Sequence, residues 1–152
     1  QFRLPAFKLS SFIKPKEEEP VGVFFNASVT DGRREFPCKI EIIREDALSK
    51  VGFWFNNKKM RSAKYLKTTD ALQEIINKLL DHGFALKVCQ NCGYFRLNSD
   101  GRANSEQGKC LVNMINESSQ QPRSSYIWDS CGNIIPSHAK KFVEKELEKF
   151  NS

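Results

Sequence analysis

The chain has 152 residues, a length that suits one domain or a small domain with a satellite module. Hydrophobic residues make up 39% of the chain, which is enough for a folded core, but no apolar run reaches the roughly eighteen residues of a transmembrane helix. The formal net charge of +6 permits nucleic acid, an anionic lipid surface or an acidic protein as a partner. The N-terminus lacks the apolar centre of a signal peptide and the five cysteines are an odd number, which together predict reduced thiols and a cytoplasmic location.

Residues 1–20 are predicted to form an N-terminal arm and a charged linker. The arm carries apolar side chains, such as Phe2 and Phe12, that are enough to dock on a surface, and prolines bound the linker Pro15–Pro20. Two interpretations stay open. The arm lies on its own domain, as many chain termini do, or it docks on a partner.

Residues 21–83 are predicted to form an α+β domain, in which an antiparallel sheet packs against one helix. Apolar residues alternate over Val23–Val29 and over Phe36–Ile42, and Asp31-Gly32 between them suits a hairpin turn. Cys38 falls on the apolar face of the second strand and is interpreted as a core thiol. An aromatic third strand over 51–56, a turn over 56–59 and a shorter fourth strand over 60–66 complete the predicted sheet.

The helix of this domain is predicted near residues 70–82. Asp70 and Gln73 imitate a capping box, and Gly83 is a natural stop. The apolar positions recur at helical spacing and form one stripe, made of Leu72, Ile75, Ile76, Leu79 and Leu80. This stripe is the face that we expect to pack on the sheet.

Residues 84–152 are predicted to be a loop-rich metal-binding segment followed by a C-terminal helix. Between residues 89 and 136 the apolar residues show little periodicity, so this stretch cannot order itself through a core of its own. A second helix is predicted from about Ser137. One face of that helix is expected to carry Ala139, Phe142, Val143, Leu147 and Phe150.

Four cysteines in this segment are the candidate metal ligands: Cys89, Cys92, Cys110 and Cys131. Cys89 and Cys92 form a C-x-x-C-G knuckle, in which two intervening residues let both sulfurs face one ion and Gly93 avoids a Cβ clash. Cys131 is also followed by a glycine, which suggests two similar turns. A site of this kind contributes about 10–16 kcal/mol of apparent binding free energy to folding, enough to order a loop-rich segment.

Other uses of these residues are less consistent with the sequence. Two disulfides would need an oxidising compartment, and a redox C-x-x-C would open a helix, whereas residues 93–97 look extended. His82 and His138 could replace a cysteine as ligand, but four thiolates already complete a tetrahedron, so both are interpreted as helix-end residues.

The knuckle and the two C-G pairs resemble four-cysteine zinc modules of the zinc-ribbon kind over about fifty residues. The chain departs from that pattern, because Trp128 stands where a second C-x-x-C would begin. A C-x-x-C followed by two isolated cysteines among aromatic residues is also similar to small [4Fe–4S] modules. Zinc is therefore the first expectation for the cofactor, and a [4Fe–4S] cluster is the alternative.

A basic cluster beside an aromatic strand is the candidate nucleic-acid site, made of Trp54, Lys58, Lys59, Arg61, Lys64 and Lys67. Lysines that contact phosphates next to an aromatic that stacks on bases are typical of single-strand binding. The alternative is a solvated edge strand whose lysines prevent aggregation. An outward Trp54 would favour binding.

The chain contains no motif of a known catalytic site. We therefore predict a non-enzymatic binding module stabilised by a structural four-cysteine metal centre, with nucleic acid or an acidic protein surface as its partner. The alternative is an iron–sulfur protein for electron transfer or redox sensing.

Overall fold

A computed structural model describes residues 22–98, 106–116, 121–132 and 134–151. The protein has the predicted α+β fold, with two antiparallel sheets and a C-terminal helix. It divides into two compact units, one ending at Leu86 and the other beginning at Lys87. The predicted arm over residues 1–20 lies outside the described residues. No helix in the described ranges is both long enough and apolar enough to cross a membrane.

The first unit is built on a five-stranded sheet in the order β4-β3-β2-β1-β5. Its strands are β1 Val23–Thr30, β2 Glu35–Glu45, β3 Leu48–Phe55, β4 Lys58–Arg61 and β5 Ala85–Leu86. The predicted hairpin is confirmed, since Val29 of β1 lies opposite Phe36 of β2 and the register continues to Val23 and Ile42. β5 pairs with β1, which extends the unit to Leu86, past the division predicted after residue 83.

Two-residue turns with positive φ join β2 to β3 and β3 to β4. Asn56 and Asn57 have φ of 48° and 63°, and Asp46 and Ala47 have φ of 49° and 65°. These values match the tight turn that continues the twist of a hairpin. β4 begins at Lys58, directly after the second turn, so the predicted four-residue turn is two residues too long and the fourth strand starts and ends earlier than predicted.

Helix α1, Thr68–Asp81, packs on β3 with one apolar face. Four residues of the predicted stripe are buried, namely Leu72, Ile75, Ile76 and Leu79, together with Ala71, whereas Leu80 is exposed. The predicted capping box is wrong, because the helix begins two residues before Asp70 and its N-cap, Lys67, makes no side-chain cap. Asp70 instead lies in the first turn, where its charge favours the helix N-terminus.

The second unit contains a three-stranded antiparallel sheet and short helices. Its elements are β6 Phe95–Leu97, β7 Gln107–Cys110, α2 Val112–Asn116, β8 Arg123–Tyr126 and α3 Lys140–Asn151, with 3₁₀ turns at Cys89–Asn91 and Ser137–Ala139. The predicted C-terminal helix is confirmed. Its predicted apolar face is partly wrong, because Val143 is buried but Phe142 is exposed.

Candidate functional site

The C-x-x-C knuckle is a 3₁₀ turn that folds back between two extended segments. The Cys92 N–H donates to the Cys89 carbonyl at 3.0 Å, and the Phe95 N–H donates to the Cys92 carbonyl at 3.2 Å. A Cβ on Gly93 would lie 2.9 Å from the Pro136 carbonyl oxygen. The sequence predicted that Gly93 avoids a Cβ clash, and the structure shows that the clash would be with a distant segment of backbone that passes close to it.

Three backbone hydrogen bonds attach the segment that carries Cys131 to this knuckle. They run from Cys89 N–H to Asp129 O at 2.7 Å, from Gln90 N–H to Ile127 O at 3.0 Å and from Gly93 N–H to Ile135 O at 3.1 Å. Since the bonds lie on both sides of Cys131 in the sequence, they bring that residue to the knuckle.

Cys110 reaches the same place through the sheet. It ends β7, where its neighbours across the sheet are Phe95 of β6 and Arg123 of β8. Directly after it, the Leu111 N–H donates to the Tyr94 carbonyl at 2.9 Å. The pairing thus places Cys110 beside the chain that leaves the knuckle.

The four cysteines are free thiols that lie within electrostatic reach of one another. Cys89, Cys92 and Cys110 are only 3%, 5% and 3% exposed, and Cys131 is half-buried. Burial is the largest influence on Cys89 and, together with the charges of Cys110 and Cys131, raises its pKa to about 11. Burial and the same two charges also raise the pKa of Cys92. Within the described ranges, no three His, Cys, Asp or Glu side chains are close enough to share an ion as they stand.

A potential hydrogen-bond donor lies close to each of the four sulfurs. The Ser125 hydroxyl lowers the pKa of Cys89, and the backbones of Ile135 and Tyr94 lower the pKa of Cys92. Arg123 lies close to the other two sulfurs: its guanidinium interacts with Cys131, and its Nη2 is 3.9 Å from Cys110 Sγ.

The electrostatics of Arg123 and Ser125 agree with this arrangement. Burial tends to lower the pKa of Arg123, but its hydrogen bond to Cys131 and the charges of Cys110 and Cys131 raise it overall. Ser125 Oγ is buried and makes no well-formed hydrogen bond within the described part of the chain, although its hydroxyl is close enough to influence Cys89. No local pattern in the sequence marks either residue, since their partners come from distant segments.

Aromatic side chains lie close to the cysteines in the sequence of the second unit. Phe95 is buried opposite Cys110 in the sheet. The rings of Tyr126 and Trp128 are stacked, with centroids 5.1 Å apart and planes 9° from parallel. Trp128, which replaces the cysteine of a regular ribbon, is buried. His82 and His138 are both exposed, at the end of α1 and in the second 3₁₀ turn.

The predicted nucleic-acid residues divide into two groups. Lys59 and Arg61 lie on the sheet face opposite α1, beside the buried Glu41. Lys59 Nζ is 3.6 Å from Glu41 Oε1 and Arg61 Nη2 is 4.0 Å from it. Because Glu41 is 4% exposed and Lys59 is 7% exposed, these cations neutralise a buried carboxylate.

Trp54 lies on the same face and is held by the same cluster. Its Nε1 donates to Glu41 Oε1 at 3.3 Å, and Lys59 Nζ lies 4.4 Å from its ring centroid. The ring is half-buried, so it points away from the helix but is not freely exposed. The other predicted basic residues, Lys58, Lys64 and Lys67, are exposed, and Lys64 pairs with Glu45 at 3.4 Å.

No protein-family model matches the chain, and no curated protein is significantly similar to it in sequence. The functional interpretation therefore depends on the geometry of these residues.

Proposed function

We propose that the protein is a non-enzymatic binding module whose second unit is organised by a metal centre with four cysteine ligands, Cys89, Cys92, Cys110 and Cys131. The observation that carries this proposal is the set of donors around the sulfurs: a hydroxyl, two backbone groups and a guanidinium. Neutral thiols are weak acceptors and pack well in apolar surroundings without such donors, whereas thiolates need them. The donors are therefore those expected around metal-bound thiolates.

The raised thiol pKa values set a condition for this proposal. Burial disfavours the thiolate form of Cys89 and Cys92, so these ligands stay protonated near neutral pH unless a cation compensates their charge. A bound metal would supply that charge and, with it, most of the folding energy of the loop-rich segment. Zinc is the first candidate, and four thiolates leave it no open position for hydrolytic chemistry.

The test compares two buried cysteines. Cys110→Ala should abolish stoichiometric metal binding and make residues 87–152 sensitive to protease, while the first unit stays folded. Cys38→Ala removes a similarly buried thiol from the first unit, where Cys38 packs in the core of the sheet, and should keep one equivalent of metal. A Cys110→Ala protein that retains its metal and its protease resistance would overturn the ligand assignment.

An iron–sulfur cluster on the same four cysteines is the second candidate, with a role in electron transfer or redox sensing. The stacked Tyr126 and Trp128 and the buried Phe95 favour it, because an apolar shell limits solvent access and tunes the potential of a cluster. Protein purified without air should then absorb near ~400 nm, where zinc is silent. A colourless protein with one equivalent of zinc would exclude this candidate.

For the partner we propose single-stranded nucleic acid in a reducing, cytoplasmic compartment. The support is the net charge of +6, the exposed Lys58 and Lys67, and an aromatic ring on the same sheet face as further basic residues. Affinity for a single-stranded oligonucleotide should fall linearly with the logarithm of salt concentration. Binding to acidic peptides alone, with no affinity for oligonucleotides at low salt, would replace nucleic acid by an acidic protein surface.

A further inference from the structure

A groove of about 420 Å³ opens at one end of the first unit's sheet. Its polar lining consists of Asn26, Lys39, Asn56 and Asn57, and Trp54 and Phe55 supply its aromatic part. This volume lies within the range of small-ligand sites, and the described part of the lining combines aromatic rings, amides and one cation. Among the described residues that line the groove, Lys39 alone is charged, and its charge is positive.

The groove follows a row of side chains on β1, β2 and β3, and the row continues beyond the groove onto β4. In the register of the sheet, Asn26 of β1 lies opposite Lys39 of β2, Lys39 lies opposite Trp54 of β3, and Trp54 lies opposite Lys59 of β4. Directly opposed residues in an antiparallel sheet have Cβ atoms about 4.5–5.5 Å apart and share a face. An amide, a cation and an aromatic ring are therefore neighbours on this face.

Trp54 is fixed in place before any ligand arrives. Glu41 accepts a hydrogen bond from its Nε1, Lys59 lies over its ring, and the Phe24 ring meets it edge-on with centroids 5.9 Å apart. A Cβ on Gly52 would lie 2.8 Å from Glu41 Oε1, so glycine at this position leaves room for the carboxylate. A ring held in this way loses little side-chain freedom when a ligand stacks on it.

The two lysines of the row, Lys39 and Lys59, have different roles because only Lys59 pairs with the buried carboxylate of Glu41. Lys59 is neutralised by Glu41 and holds the indole, whereas the exposed Lys39 places its charge at the groove. A phosphate close to a stacked base would meet Lys39. The exposed amides of Asn26 and Asn56 lie where they can hydrogen-bond the polar edge of a base.

From this placement we infer that the groove binds an unpaired nucleobase of a single-stranded nucleic acid, which stacks on Trp54 while its phosphate contacts Lys39. The inference rests on the proposed nucleic-acid partner and deepens it. It keeps Trp54 as a contact, adds Lys39 to the contact site, and makes Glu41 and Lys59 positioning residues rather than contacts.

The test uses the full metal-loaded chain and a 5′-labelled single-stranded oligonucleotide of about ten nucleotides, with affinity measured by fluorescence anisotropy. Stacking is worth about 1–3 kcal/mol per base, so Trp54→Leu should weaken binding roughly five- to hundredfold. Lys39→Gln should weaken it about fivefold at low salt and reduce the salt slope by about one. Lys145→Gln, which removes an exposed charge from α3, is the matched control and should change affinity less than twofold.

A second measurement covers the case in which Trp54→Leu fails to fold. In a Trp128→Phe background, Trp54 is the sole tryptophan, and its fluorescence should be quenched by the oligonucleotide. If the oligonucleotide binds without quenching Trp54, and if Lys39→Gln and Lys145→Gln have equal affinity for it, the groove is not the binding site. The proposed nucleic-acid partner would not be affected by that result. No binding by the unmodified protein at low salt would remove the nucleic-acid partner itself.

Discussion

Replacement of Arg123 tests the donor set around the sulfurs most directly. Its guanidinium hydrogen-bonds Cys131 and lies with Nη2 at 3.9 Å from Cys110 Sγ. Arg123→Gln removes the positive charge at these two sulfurs but keeps a side chain of similar reach. If the four cysteines bind a metal as thiolates, Arg123 compensates part of their combined negative charge. We therefore expect Arg123→Gln to lower the affinity of the centre for the metal.

The expected loss is modest because Arg123 is exposed. A hydrogen bond to a charged group contributes about 1.5–3 kcal/mol in general. The 3.9 Å contact is long and the guanidinium is largely solvated, so screening reduces the figure to about 1 kcal/mol. That free energy corresponds to about a fivefold loss of metal affinity.

The assay is an equilibrium competition for zinc between the protein and a chromophoric chelator at fixed pH and salt. Lys109→Gln is the control, because Lys109 is an exposed neighbour of Cys110 on β7 and carries the same charge. Arg123→Lys keeps the charge but not the planar fork, so it should fall between Arg123→Gln and the unmodified protein. Equal losses in Arg123→Gln and Lys109→Gln would mean that only net charge matters, and the donor argument would be refuted.

Three further predictions concern stability. Burial raises the pKa of the Cys38 thiol to about 12, from 9.0 for an exposed thiol. The unfolded chain therefore loses this proton at a lower pH than the folded protein does. The contribution of the thiol to the free energy of unfolding is complete below pH 9 and falls by about 1.4 kcal/mol per pH unit up to pH 12. In urea unfolding between pH 7 and 10.5, Cys38→Ala should therefore decline less steeply than the unmodified protein, and parallel declines would contradict this. Gly93→Ala should lower the free energy of unfolding of the metal-loaded protein by about 1–3 kcal/mol in thermal unfolding, because its Cβ would lie 2.9 Å from the Pro136 oxygen. Gly132→Ala is the control and should leave this free energy unchanged, because the space around its Cβ is open. Ala47→Gly should raise the free energy of unfolding by about 0.5–1 kcal/mol, because glycine adopts the observed φ of 65° without steric cost, and a lower midpoint in urea would refute it.

Local periodicity was sufficient to predict most of the first unit. The alternation of Val23–Val29 and Phe36–Ile42 predicted the hairpin and most of its buried face, although Val23 is exposed. The helical spacing from Leu72 to Leu79 predicted the face that α1 buries. These features depend on residues close together in the chain, which the sequence displays directly. The capping box was wrong, because the helix begins at Thr68 and its N-cap, Lys67, makes no side-chain cap.

The sequence also singled out the four cysteines, but it treated their surroundings too symmetrically. Two C-G pairs suggested two similar turns. Of these two glycines, Gly93 lies against a neighbouring segment of backbone that leaves no room for a side chain, whereas Gly132 has open space around it. The difference arises because the 135–136 segment crosses the knuckle at Gly93, and that crossing depends on long-range hydrogen bonds.

The partners of the charged side chains were determined mostly by the tertiary structure. In the sequence, Lys59 and Arg61 belong to one basic run with Lys58, and nothing marks Glu41 as their partner. The sheet register places Glu41 next to both, so these cations neutralise a buried carboxylate and hold Trp54, while Lys39 from another strand is the cation at the groove. Arg123 and Ser125 reach the cysteines in the same way, through strand pairing. A charged side chain acts on whatever lies within a few ångströms of it, and for these residues only the folded chain determines that neighbourhood.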